Sequence, residues 1–135
     1  MTDYAFTIPL PPVTKKNSQR IVTGKTGKPF LIPSKQYTEY ERAALWHIQR
    51  PDKPIDYAVT VKCLFYMPTL RKVDLTNLLE AVDDVLVKAG VLADDNNTII
   101  ASHDGSRVYY NKDHPRTEIV ISPFQSDGKE GRHEH

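Results

Sequence analysis

Three observations predict a single α+β domain. The chain has 135 residues, enough to bury one independent core without disulfides or a structural metal, and too few for two such domains. Runs rich in β-branched and aromatic residues recur along its length, the strongest being YAVTVKCLFYM at 57–67, as strands require. Two other stretches repeat apolar residues at helical spacing.

Residues 4–10 alternate loosely and end in Pro11-Pro12, a short strand stopped by residues that cannot continue a ladder. Residues 19–22 and 29–32 are β-prone runs around TGKTGK, whose glycines permit the tight reversal of a hairpin carrying Lys25 and Lys28 at its tip. Ser34, with Thr38 as a second candidate, fits an N-cap for a helix to about Gln49, along which Tyr37, Tyr40, Ala44, Leu45 and Ile48 recur and after which Pro51 and Pro54 end it. The run 57–67 is expected as a central strand. A second helix is expected from Asp74 or Leu75 to Lys88, closed by Gly90 in the C′ position. Its Leu78, Leu79, Val82, Val85, Leu86 and Ala89 form one stripe, and Asn77, Glu80, Asp84 and Lys88 share the opposite face. Further strands are expected at 98–101, 106–110 and 117–121. The polar end SDGKEGRHEH carries no core-forming residue, so the domain is expected over 1–123 with a disordered tail over 124–135.

Charge is unevenly distributed. The net charge is only +1, which by its sum argues against a nucleic-acid binder. Yet between Asp74 and Asp95 six carboxylates (Asp74, Glu80, Asp83, Asp84, Asp94, Asp95) face one base, Lys88, whereas residues 4–38 carry Lys15, Lys16, Arg20, Lys25, Lys28 and Lys35 and no acid. A basic arm beside an acidic centre is the pairing expected of a metal-dependent enzyme acting on nucleic acid. Hard divalent cations such as Mg²⁺ take one or two carboxylates plus water and substrate phosphate, and Asp74 and Asp95 are natural ligands. Each also fits a plainer role, Asp74 as an N-cap and the DDNN segment as a solvated turn. Lys15, Lys16 and Arg20, then Lys25 and Lys28, are candidate phosphate contacts, with Asn17 bonding phosphate or capping a turn.

The remaining chemistry is sparse. Lone Cys63 lies in an apolar run and is expected to be a buried, silent thiol in a reducing compartment. His47, His103 and His114 are isolated in sequence and form no zinc spacing. Tyr66, Tyr109 and Tyr110 fit strand packing or stacking on unpaired bases. No membrane span and no signal-peptide pattern is present, so a soluble, cytoplasmic protein is expected.

The segment DLTNLLEAVDDVLVKAGVLADD resembles the signature of the RusA-type Holliday junction resolvases, with Asp74, Leu75, Asn77, Ala81, Asp84, Leu86, Gly90, Asp94 and Asp95 in register. The opening strand with its Pro pair and the following KKNSQR are also similar to that family. The resemblance implies a mixed sheet flanked by two helices and a homodimeric endonuclease that nicks four-way DNA junctions symmetrically with Mg²⁺ or Mn²⁺. By position, Asp74 and Asp95 match two metal-binding aspartates of the family. Thr76 stands where the third is expected, and Glu80 where the family has a catalytic lysine. The expected site is therefore Asp74, Asp95 and Glu80, with Asp94 as a further ligand. Lys72 or Lys88 would supply the missing cation, and Thr76, Asn77 and Asp84 are accessory. A noncatalytic branched-DNA-binding module and a less selective structure-dependent nuclease are the alternatives.

Overall fold

The computed structural model describes residues 3–15, 19–23, 25, 27 and 29–125, with the backbone alone for 19–23 and 29–33. Its elements run β1 (Tyr4–Ile8), β2 (Gln19–Thr23), β3 (Pro29–Pro33), α1 (Lys35–Leu45), β4 (Val59–Met67), α2 (Leu75–Lys88), β5 (Ile100–Ser102), β6 (Arg107–Tyr110) and β7 (Arg116–Pro123). Of the tail expected over 124–135, residues 126–135 lie outside the described residues, and Phe124 is instead tied to the sheet through its N–H on the Ala58 carbonyl at 2.9 Å.

β4 is central, as its composition predicts. It pairs antiparallel with β7, which in turn pairs antiparallel with β1, and its other edge is shared by β5 along Val59–Thr60 and β6 along Leu64–Met67, both parallel. The sheet is therefore mixed, while β2 and β3 form the expected separate hairpin. Parallel neighbours need a crossover, and α2 supplies it between β4 and β5. Alternate residues of β4 (Val59, Val61, Cys63, Phe65) are buried with Ile119 and Ile121 of β7 and Ile8 of β1. Tyr40 and Ala44 of α1 and the apolar stripe of α2 join the same cluster. Both helices thus cover one face, and Lys62, Leu64, Tyr66, Arg116 and Glu118 lie on the other. Cys63 is fully buried, and burial, followed by the Asp83 charge, pushes its thiol pKa far up.

Two helix ends follow from local chemistry. Ser34 caps α1, its hydroxyl accepting from Tyr37 N at 3.2 Å. Past Leu45, however, the chain tightens into i→i−3 bonds, Trp46 N to Ala43 O and His47 N to Ala44 O. The helix therefore stops four residues before Gln49, and Leu45 and Trp46 are exposed. α2 ends as predicted. Gly90 adopts φ +79°, its N–H bonds Val87 O at 3.0 Å, and Val91 N bonds Leu86 O at 3.0 Å. This is a Schellman closure, sealed by the buried pair Leu86 and Val91.

Candidate active site

At its start α2 is capped by Asp74, whose extended backbone places Oδ1 to accept from Thr76 N at 3.0 Å and Thr76 Oγ1 at 2.5 Å. The cap satisfies a free helix N–H and sets negative charge at the positive end of the dipole. Thr76 thus orients the Asp74 carboxylate. Glu80, six residues further on, is exposed and lies about 9 Å along the helix axis.

After Gly90 the chain is pinned by Ile55, which bonds Val91 O through its N–H at 2.8 Å and accepts from Ala93 N at 2.9 Å. The acidic turn follows. Asp94 spends both oxygens inside it, Oδ1 on Asp95 N at 2.7 Å and Oδ2 on Asn96 Nδ2 at 3.1 Å. Asn96 in turn holds Thr98 N at 2.9 Å. Asp94 builds the turn and Asp95 is presented from it, exposed.

Residues 79–83 and 95–103 meet at Asp83. β5 leaves β4 after Thr60 and β6 joins it only at Leu64, so backbone groups between them need other partners. Ser106 Oγ accepts from Cys63 N at 2.9 Å, and the His103 imidazole donates from Nδ1 to Val61 O at 2.8 Å. That bond leaves Nε2 facing Asp83 Oδ2 at 2.9 Å. The Asp83 side chain is 15% exposed, and its Oδ1 is buried without a hydrogen-bond partner among the described residues. Burial lifts its pKa above the ordinary 3.8, the His103 contact pulls it back, and the charges of Asp95 and Glu80 push it up again. For His103, burial lowers the pKa, but the Asp83 hydrogen bond and charge, with the Val61 carbonyl, carry it above the ordinary 6.5. Glu80, Asp83 and Asp95 are therefore one electrostatic group with His103 behind it. The expectation of an isolated His103 is corrected: the crossover returns the end of β5 beneath the middle of α2.

Asp84 does not share that group. On the flank of α2 toward α1, its Oδ2 accepts from Tyr37 Oη at 3.2 Å and lies 3.5 Å from Lys15 Nζ and 3.6 Å from Lys88 Nζ. Lys88 Nζ also lies 2.9 Å from Glu41 Oε2, and that hydrogen bond, set against some burial and helped by the Asp84 charge, raises the Lys88 pKa. Consecutive positions on a helix point about 100° apart, which sends Asp83 to the β5 side and Asp84 to α1. Of the expected DNA contacts, Lys15 is thus committed to Asp84, and Lys88 is tied to carboxylates rather than directed at the acidic turn. Lys72 and Lys25 are exposed and Asn77 is half-buried. Lys16, Asn17 and Lys28 lie outside the described residues, as does the side chain of Arg20 in β2.

Asp83 Oδ1, a buried carboxylate oxygen without a hydrogen-bond partner among the described residues and under the charges of Asp95 and Glu80, is a hard-oxygen donor that fits a hard divalent cation. Among the described residues no three His, Cys, Asp or Glu side chains already stand in a metal-holding arrangement. Asp74, Glu80 and Asp95, the carboxylates expected as ligands, are all exposed. Exposed carboxylates at the start of α2 and in the acidic turn, with Lys72 exposed two residues before Asp74, are the kind of chemistry a nucleic-acid-processing hydrolase uses.

Comparison with known proteins specifies the class. The model of the endodeoxyribonuclease RusA family matches residues 9–122. A crossover junction endodeoxyribonuclease RusA of Aquifex aeolicus (strain VF5) is 36% identical over 117 residues, covering 85% of this chain and 87% of that protein. The chain belongs to the RusA family and is a structure-specific endonuclease. In the described residues no helix is long and apolar enough to cross a membrane.

Proposed function

We propose that this protein resolves four-way DNA junctions as a homodimer by paired, symmetric nicks, using Mg²⁺ or Mn²⁺, in recombination or repair in the cytoplasm. The observation that carries the reading is the match of residues 9–122 to the RusA family, supported by the carboxylates Glu80 and Asp83 on α2 and Asp95 in the turn that follows it. Asp74, Asp95 and Glu80 are assigned to hold the cation. When bound, it lowers the pKa of a water and neutralises charge at the leaving oxygen. Thr76 holds the Asp74 carboxylate in place, and His103 holds Asp83, keeping the inner wall of the group neutral enough for a phosphate to approach. Lys72 and Lys25 are assigned to the phosphate backbone, with Lys16, Arg20 and Lys28. Two-fold symmetry would set two such sites on opposed strands.

The test is strand nicking of a labelled four-way junction beside matched duplex and fork, with and without Mg²⁺ or Mn²⁺, using wild type, Asp74→Asn and Glu80→Gln. Paired, metal-dependent, junction-selective nicks that both variants lose are expected. Cutting of forks as readily as junctions would replace the reading with a less selective nuclease, and tight binding without nicking would overturn the assigned metal chemistry.

A further inference from the structure

One row of the open sheet face has a composition that packing alone does not require. In cross-strand register, Tyr109 of β6, Tyr66 of β4 and Arg116 of β7 lie side by side. The two rings stack with centroids 5.2 Å apart and planes 22° from parallel, and the Arg116 guanidinium carbon lies 3.8 Å from the Tyr66 centroid. Arg116 is itself held, by Glu118 at 2.9 Å and the His114 carbonyl at 2.9 Å. The stack is therefore fixed from its Arg end and ends at Tyr109. Among the described residues β6 pairs with β4 alone, so no strand lies beyond Tyr109, which is 42% exposed. Val108 (37% exposed) and Tyr110 (48%) alternate with it, paired with Phe65 and Met67, and so leave from the opposite face of the sheet. With Met67, Leu70 and Arg71 they line a shallow cavity of about 200 Å³ at this sheet edge, which Tyr109 also borders.

Charge and position specify what the patch takes. Residues 67–73 and 107–116 together hold Arg71, Lys72, Arg107, Lys112 and Arg116 against one acid, Asp113, and of these Arg116 is paired with Glu118, so the segments that carry the aromatic surface are basic. Leu70, in the same cavity lining, is four residues before Asp74, so the chain between them spans at most about 14 Å.

We propose that Tyr109, backed by Tyr66 at the open edge of the sheet, is a stacking platform for a base unpaired at the branch of the DNA substrate, with Arg71 and Lys72 on the adjoining phosphates. Every base offers a π face, so the platform selects unpaired structure rather than sequence. This deepens the junction reading and rests on it.

The test uses the full chain in EDTA, where binding is read without cleavage. Four-way junctions carrying 2-aminopurine at the branch, or in a paired arm, are titrated with wild type, Tyr109→Phe and Tyr109→Ala, beside linear duplex. For Tyr109→Ala the expected result is a loss of about ten-fold in junction affinity and of the branch 2-aminopurine response, with duplex affinity and salt slope unchanged. Tyr109→Phe is expected to behave as wild type. Unchanged junction binding by Tyr109→Ala, or an equal loss on duplex, would overturn the platform while leaving junction selectivity in place. Dissociation of a wild-type dimer by Tyr109→Ala in sedimentation would assign the patch to a second copy and overturn it too. A wild type that does not prefer the junction over duplex would overturn the underlying substrate reading, a result separable from the others.

Discussion

His103 Nε2 lies 2.9 Å from Asp83 Oδ2 while the same ring's Nδ1 donates to the Val61 carbonyl. A carbonyl only accepts, so Nδ1 carries a hydrogen and the Nε2 contact needs a proton of its own, on the imidazole or on the carboxyl. The pair joins the β4 edge to the acidic face of α2. Replacing His103 with Ala leaves Asp83 uncompensated at 15% exposure, and is expected to cost about 3 kcal/mol, read as a lower urea midpoint. Asp83→Asn in the same background is expected to recover part of the loss, because the stranded charge is then gone.

The same proton makes stability depend on pH. His103 is raised above 6.5 and Asp83 above 3.8 in the fold, so the folded state binds protons more tightly than the unfolded chain. The His103 contribution is full below 6.5 and is lost as pH rises through its folded value, and the Asp83 contribution has the same sign in a window that opens above 3.8. Urea titrations in EDTA are expected to give stability that falls as pH rises from 6.5, a decline that His103→Gln flattens.

Asp74 serves as cap and candidate ligand at once, and substitutions separate the roles. Asn also caps, so Asp74→Asn is expected to keep the melting temperature near wild type while abolishing metal-dependent nicking. Asp74→Ala is expected to lose the same activity and, in addition, about 1 kcal/mol of stability.

Thr76 acts through Asp74, its hydroxyl on Oδ1. Thr76→Val keeps shape and removes that bond, and is expected to lower nicking by roughly ten-fold. The loss should appear as a higher Mg²⁺ requirement, with Thr76→Ser close to wild type.

Gly90 is held at φ +79°, and a Cβ there would stand 3.3 Å from Arg50 Cδ. Gly90→Ala is expected to cost about 1–2 kcal/mol through the left-handed backbone, measured by denaturant unfolding. Because the Schellman bonds aim the acidic turn, the variant's nicking rate should fall even where it remains folded.

What the sequence determined by itself was local. Ser34 and Asp74 as caps, Gly90 as the C′ residue, β4 as the central strand and the hairpin flanking TGKTGK all follow from side chains acting within a few residues of their own backbone. The end of α1 was missed because nothing local distinguishes Trp46 and His47 from helix, and only the tightening of the last turn stops it. The acidic cluster was legible as composition, and the family resemblance pointed to Asp74 and Asp95. The division of that cluster was not legible. Whether Asp83 meets His103 or Asp84 meets Lys15 depends on groups 20 and 69 residues apart, joined by a parallel crossover on one side of α2 and the packing of α1 on the other. Adjacent carboxylates identical in sequence terms acquire different partners because a helix turns about 100° per residue, and tertiary packing alone decides what stands on each side.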